Sequence, residues 1–311
     1  MRKHIGMALL LLLTACNQSN PPTESVDTPA KASEEQEARK TLEEVADNGG
    51  AERFIAAAFE RAKANVQPTD IASINAALRP HDNIFKPEGE GPFPAVLFFH
   101  GCSGPTATHE QDWAKFYNDI GVAMIAVDSY AGRGIAWEDA CDLQVMTPWQ
   151  RAADVLATIA YARTLDYVDA NRLLLTGFSH GAMTVWTTLV FASTETPPLG
   201  LATWPAGAMD GVRLSFPFYG ACMGNWTVPI PTTMFLSEDD RYIDEQSCVD
   251  YATANPDMSA YFSYRIFAGA THTFDHARPN ASNVEAGSVY DAGATGEAQA
   301  TIAAAVAELN K

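Results

Sequence analysis

The sequence predicts an α/β fold, a mostly parallel sheet with helices on both faces. Three observations carry the prediction. Pro94-Ala95-Val96-Leu97-Phe98-Phe99-His100 and Arg172-Leu173-Leu174-Leu175-Thr176 are near-continuous apolar runs, the pattern of strands buried on both faces. Such runs alternate with segments of helical spacing, as crossover connections between parallel strands require. Between the second run and a helix-compatible segment stands Gly177-Phe178-Ser179-His180-Gly181. A sharp strand-to-helix turn of this Gly-x-Ser-x-Gly kind raises a serine hydroxyl above the C-terminal edge of a sheet, and its glycines permit the close approach the turn needs.

With 311 residues, 47% of them hydrophobic, the chain can bury one large α/β core. Its formal charge of -18 argues against nucleic acid or an anionic membrane face as a partner, since both require basic patches. The start differs in character from the rest. Met1-Arg2-Lys3-His4 is basic, and Ile5 to Leu13 is an apolar run too short to span a bilayer. Leu13-Thr14-Ala15-Cys16 follows, which resembles a bacterial lipobox. The resemblance implies a signal peptide over 1–15, lipidation of Cys16 and an exported protein anchored in the cell envelope. In an oxidising compartment the remaining Cys102, Cys141, Cys222 and Cys248 form an even set, consistent with two disulfides in any of three pairings.

Residues 16–35 are rich in Pro, Ser, Thr, Asn and Glu and read as a flexible tether. A helical extension follows over 36–69, broken into two helices at Asn48-Gly49-Gly50. The main domain is expected over 70–311. Its first element, Ile71 to Leu78, alternates as a strand closed by Pro80. After the strand that ends at His100 come a helix near 111–120, a strand at 122–127, and a helix near 147–164. Beyond the serine turn, strands are expected at 212–216, 232–236 and 260–267. Helices are expected near 244–254 and 296–309.

Acyl transfer by serine needs a base, an acid to orient that base, and amide donors for the oxyanion. In this strand–turn–helix setting the partners follow the serine in the order acid, then histidine, each just after a strand. Ser179 is the candidate nucleophile. His272 follows the strand ending at Phe267 and is the candidate base, with His276 as its competitor. For the acid, Asp240 lies three residues beyond Ser237 and three before Ile243, with Asp239 and Asp244 as alternatives. The backbone N–H of His180, directly after the nucleophile, and that of Cys102, in the loop after Phe99, are the candidate oxyanion donors. Arg133 suits either a substrate carboxylate or an ion pair that anchors its loop. Trp137, Trp149, Trp186, Trp204, Trp226, Phe178 and Tyr219 are available for an acyl pocket or for the core.

Five motifs in order give the chain a resemblance to the dienelactone hydrolase family of α/β-hydrolases over about residues 71–292. They are His-Gly-Cys-x-Gly at 100–104, Asp-Ser-Tyr-x-Gly-Arg-Gly at 128–134, Gln-Arg-Ala-Ala-Asp at 150–154, the serine turn, and Gly-Ala-x-His-x-Phe-Asp at 269–275. The resemblance implies an α/β-hydrolase fold with an eight-stranded sheet and neither cofactor nor metal. The family's founders use a cysteine nucleophile, so Ser179 departs from them and favours ordinary ester hydrolysis, with lactones as the related substrates. Acyl transfer to an alcohol, or a non-catalytic envelope binding module, are the alternatives. The implied strand order also places Cys102 near Cys141 and Cys222 near Cys248, so bridges between those pairs are expected.

Overall fold

The computed structural model describes residues 50–280, 283–284 and 287–311. The expected signal peptide, Cys16, the tether and the first helix of the extension lie outside the described residues. Helix α1 (Gly50–Asn65) is followed by α2 (Ile71–Leu78), β1 (Asn83–Phe85), β2 (Phe93–Phe99), α3 (Ala107–Asp119), β3 (Ala123–Val127) and the short α4 (Trp137–Cys141). Then come α5 (Pro148–Ala162), β4 (Val168–Phe178), α6 (His180–Ala192), β5 (Val212–Phe218), β6 (Thr232–Ser237), α7 (Gln246–Ala254), β7 (Phe262–Phe267) and α8 (Ala292–Leu309). No helix among the described residues is long and apolar enough to cross a membrane.

The strands form one sheet in the order β1-β3-β2-β4-β5-β6-β7, with β1 antiparallel to β3 and every other pair parallel. The sheet thus has seven strands among the described residues, where the resemblance implied eight. The apolar runs mark its centre because β2 and β4 are covered on both faces. Ala95, Leu97 and Phe99 enter one core cluster with Val155, Ile159, Val185 and Trp186 of α5 and α6. The alternating Val96 and Phe98 enter another with Trp113 and Tyr117 of α3 and Ile302 and Val306 of α8. Successive side chains on a strand point to opposite faces, so an unbroken apolar run is what two cores demand. Each such fully buried side chain contributes about 1.5–3 kcal/mol.

Residues 71–78 are a helix and not the expected strand. Ile74 and Leu78 are the buried residues of α2, one turn apart, and the Asp70 carboxylate caps the helix by accepting from the Ser73 N–H at 2.7 Å. The alternation of Ile71, Ser73 and Asn75 hid a 3,4 spacing that runs Ile71, Ile74, Leu78. The three-residue strand β1 was too short to leave a periodic signal. Helix α1 packs onto the domain. Phe59 meets Trp149 edge to face at 5.2 Å, Arg61 Nη2 donates to Leu143 O at 3.1 Å, and Thr69 N donates to Gly200 O at 3.1 Å.

The cysteines pair as Cys102–Cys141 and Cys222–Cys248, closing loops of 39 and 26 residues. The first ties the loop after β2 to α4, the second the segment after β5 to α7. Loop-closure entropy for the shorter loop corresponds to about 3–4 kcal/mol. A Cys222→Ser/Cys248→Ser variant is therefore expected to unfold at a lower urea concentration, with about 3 kcal/mol less stability. A midpoint equal to that of the unaltered protein would contradict this.

Candidate active site

Strand β4 ends at Phe178 and α6 begins at His180, leaving Ser179 between them at φ 52°, ψ -114°. A non-glycine residue in that region stores about 1–3 kcal/mol of strain, so its surroundings must impose the conformation. Ser179 N donates to Phe218 O and Ser179 O accepts from Met183 N, both at 3.0 Å. Sterics explain the flanking glycines. A Cβ on Gly177 would lie 2.3 Å from Gly181 O, and one on Gly181 would lie 2.1 Å from Phe99 O.

The turn presents the serine to its expected partners. His272, in the loop after β7, places Nε2 3.0 Å from Ser179 Oγ and Nδ1 2.7 Å from Asp240 Oδ2. The carboxylate partner fixes the proton on Nδ1, which leaves Nε2 free to accept from the serine hydroxyl. Asp240, in the loop after β6, is itself held by the Tyr242 and Ile243 N–H groups on Oδ1 at 2.8 and 3.0 Å. The rings of Tyr219 and Tyr242 pack on His272 at 4.8 and 5.0 Å. The other acids face elsewhere. Asp239 is exposed, and the Asp244 side chain accepts from Gln246 N at the start of α7.

Ser179 opens into a cleft containing about 760 Å³ of empty space, open solvent at its mouth included. Trp137, Phe178, Tyr219 and Tyr242 supply aromatic walls, and His100 to Gly104 form one side. No Lys, Arg, Asp or Glu is among the described lining residues. Cys102 lines this cleft. His180 opens α6, so its N–H is one of the first-turn donors a helix leaves without an internal partner. Of the aromatic residues weighed for a pocket, Trp137, Phe178 and Tyr219 line the cleft, whereas Trp186 and Trp226 are buried in the core on the α5–α6 face. Arg133 does not face the cleft. Its guanidinium forks onto Asp154 at 2.6 and 2.9 Å and donates to Ser129 O at 2.8 Å, which anchors its loop.

A second buried carboxylate, missed in the sequence, lies beside the first. Asp275 accepts from Tyr219 Oη at 2.7 Å, from Trp113 Nε1 at 2.7 Å and from His109 Nε2 at 2.6 Å. His276 stacks on His109 with centroids 3.8 Å apart and makes no contact with the serine hydroxyl. The motif Gly-Ala-x-His-x-Phe-Asp held the signal, since it carries an acid three residues after the base. His109, Asp275 and His276 bring their ligand atoms within 4.8 Å of one another. However, the carboxylate is already saturated with N–H and O–H donors and the imidazoles stack face to face. Asp275 and His109 belong to a hydrogen-bonded network with Tyr219 and Trp113, while His276 joins the cluster by stacking, its buried Nδ1 without a hydrogen-bond partner.

Burial, with His109 beside it, pulls the His276 pKa down to about 3. Burial and the neighbouring Arg151 hold His100 and His180 well below the ordinary histidine value. Burial alone would raise the Asp275 carboxyl, but the His109 imidazole and its hydrogen bonds hold it below the usual range. The unfolded chain takes up protons on these histidines near pH 6.5 while the folded chain does not, so stability falls as pH drops from about 6.5 toward 3. Asp82, raised by burial to about 6, acts in the opposite direction, as do Glu110, Asp142 and Glu245, also raised by burial, but the three histidines are held well below their ordinary value and dominate. Thermal melts should therefore give a Tm that decreases steadily from pH 7 to pH 4, and a flat or rising Tm would contradict the buried neutral histidines.

Residues 82–307 match the sequence profile of the dienelactone hydrolase family. No curated protein sequence matches the chain. Among solved structures, the dienelactone hydrolase-like promiscuous phosphotriesterase P91 from metagenomic libraries superposes with a TM-score of 0.55 at 16% identity, over 73% of this chain and 92% of that one. The apo form of Thermogutta terrifontis esterase 2 superposes with a TM-score of 0.54 at 16% identity, over 73% of this chain and 89% of that one. At such identities the superpositions show a shared fold. The profile match spans most of the chain and supplies the kinship: the protein belongs to the dienelactone hydrolase family and is a carboxylic ester hydrolase.

Proposed function

We propose that the protein cleaves uncharged carboxylic esters or lactones through an acyl-enzyme on Ser179. The observation that carries this is the continuous chain of contacts from Ser179 Oγ through the His272 imidazole to Asp240, at 3.0 and 2.7 Å. His272 Nε2 takes the hydroxyl proton as Oγ attacks the ester carbonyl, and the carbonyl electrons move onto oxygen. The Cys102 and His180 N–H groups receive that oxyanion. As the intermediate collapses, His272 returns the proton to the leaving alkoxide and the alcohol departs. Water, deprotonated by the same imidazole, then attacks the acyl-serine, and the second intermediate collapses as His272 returns the proton to Ser179 Oγ and the acid departs. Asp240 keeps the His272 proton on Nδ1 throughout.

The aromatic walls and the absence of charged side chains among the described lining residues favour a neutral acyl group. The strain at Ser179 is consistent with a hydroxyl held in attack position in advance. Cys16, outside the described residues, is proposed as the lipidation site that tethers the enzyme in the bacterial envelope. Replacing Ser179 with Ala should lower kcat/KM for p-nitrophenyl acetate by about 10⁴-fold or more while leaving Tm essentially unchanged. A Ser179→Ala protein that turns over the ester at the original rate would refute the assignment.

A further inference from the structure

Helix α5 carries a guanidinium that the triad does not use. The Arg151 side chain is fully buried, and the nearest acid on its helix, Asp154, is occupied by Arg133. Its hydrogen bonds all go to neutral groups. Nε donates to Ser129 Oγ at 2.8 Å, and Nη1 donates to His100 O at 2.8 Å and approaches His180 Nδ1 at 3.2 Å. The guanidinium carbon also lies 5.6 Å from the centroid of the Tyr130 ring. Ser129, His100 and His180 follow β3, β2 and β4, three neighbouring strands, at the edge where Ser179 stands. A buried charge with no acid in hydrogen-bond contact is costly, so packing alone would be better served by an apolar side chain.

The contacts lead to the candidate oxyanion donors. His100 Nδ1 donates to Gly101 O at 2.6 Å, and His100 Nε2 accepts from the Ser129 N–H at 3.3 Å. The first bond orients the Gly101–Cys102 peptide. In a trans peptide the N–H points opposite to the C=O, so the Cys102 N–H is directed away from the His100 ring. Gly101 itself lies against Ser179, since a Cβ placed there would be 3.7 Å from the serine Cβ. The second donor belongs to His180, whose ring Arg151 holds. We propose that Arg151 is the positioning residue of the oxyanion hole: it locks the His100 and His180 segments that carry the two N–H donors and puts a positive charge, with no acid in hydrogen-bond contact, behind them. Burial and Arg151 keep both imidazoles neutral, so the charge in this layer is that of Arg151. A fixed charge in a water-excluded site stabilises developing negative charge far more than it would in water.

The inference rests on Ser179 being the nucleophile, and its test separates the two claims. Arg151→Met and Arg151→Lys would be compared with the unaltered enzyme for kcat and KM on p-nitrophenyl acetate, for inhibition by phenylboronic acid, and for Tm. The boronate binds as a tetrahedral anion on the serine and so reports on the oxyanion hole. Arg151→Met is expected to lower kcat by about 30- to 100-fold with KM within about twofold, and to weaken phenylboronic acid in parallel. Arg151→Lys, which keeps the charge but not the three directed bonds, should recover part of both losses. Should Arg151→Met fail to fold, Arg151→Lys decides, with an expected drop in kcat of about tenfold at unchanged KM. Unchanged kcat and boronate inhibition, with only Tm lowered, would reduce Arg151 to a structural role and overturn the proposal. An unaltered enzyme inactive on esters, or a Ser179→Ala enzyme as active as its parent, would overturn the reading of the site itself.

Discussion

Everything in the site depends on how closely β2, β4 and α6 approach one another at one point. Two missing Cβ atoms allow Gly181 to sit against the Phe99 carbonyl and Gly177 against Gly181. Only then can Ser179 occupy a left-handed backbone conformation between strand and helix. The same contact sets His180 at the first turn of α6, next to the loop from His100 to Gly104, so candidate nucleophile and candidate oxyanion donors are placed by one steric constraint. Hydrogen bonds to Phe218 O and from Met183 N then hold a conformation that costs energy in isolation.

Two buried carboxylates flank this point with different partners. Asp240 accepts two backbone N–H groups and His272 Nδ1, and so reaches the serine only through the imidazole. Asp275 accepts from a tyrosine, a tryptophan and His109, and serves to lock the aromatic wall behind His272. Tyr219 joins the two, its ring on His272 and its hydroxyl on Asp275. A buried acid is stable when its lone pairs are filled, and the two sets of donors hold one acid against the His272 imidazole and the other against the aromatic wall. The disulfides act on the rim: Cys102–Cys141 ties the candidate oxyanion loop to the helix that carries Trp137, and Cys222–Cys248 ties the segment after Tyr219 to α7.

Ser179, Asp240 and His272 were legible in the sequence because each stands directly after an apolar run, and strand ends are where this chemistry is built. The choice among Asp239, Asp240 and Asp244 was only partly legible. Neighbouring acids in one loop differ in direction, and direction is fixed by the backbone N–H groups of Tyr242 and Ile243. Ile71 to Leu78 was misread since an eight-residue apolar segment fits both periods, and the deciding signal was the Asp70 cap. The Arg151 network was not legible: it joins one helix to three loops, and only tertiary structure shows that Ser129, His100 and His180 converge on one guanidinium. A hint existed in Arg151 and Asp154, charged residues on the buried side of an otherwise apolar helix.

The central claim is that Ser179 is a nucleophile activated by His272. Intact-mass analysis after brief treatment with a fluorophosphonate probe, followed by peptide mapping, tests it most directly. One adduct per chain is expected, located on Ser179 and lost when His272 is replaced by Ala. A protein that stays unmodified, or an adduct on any other residue, would contradict it.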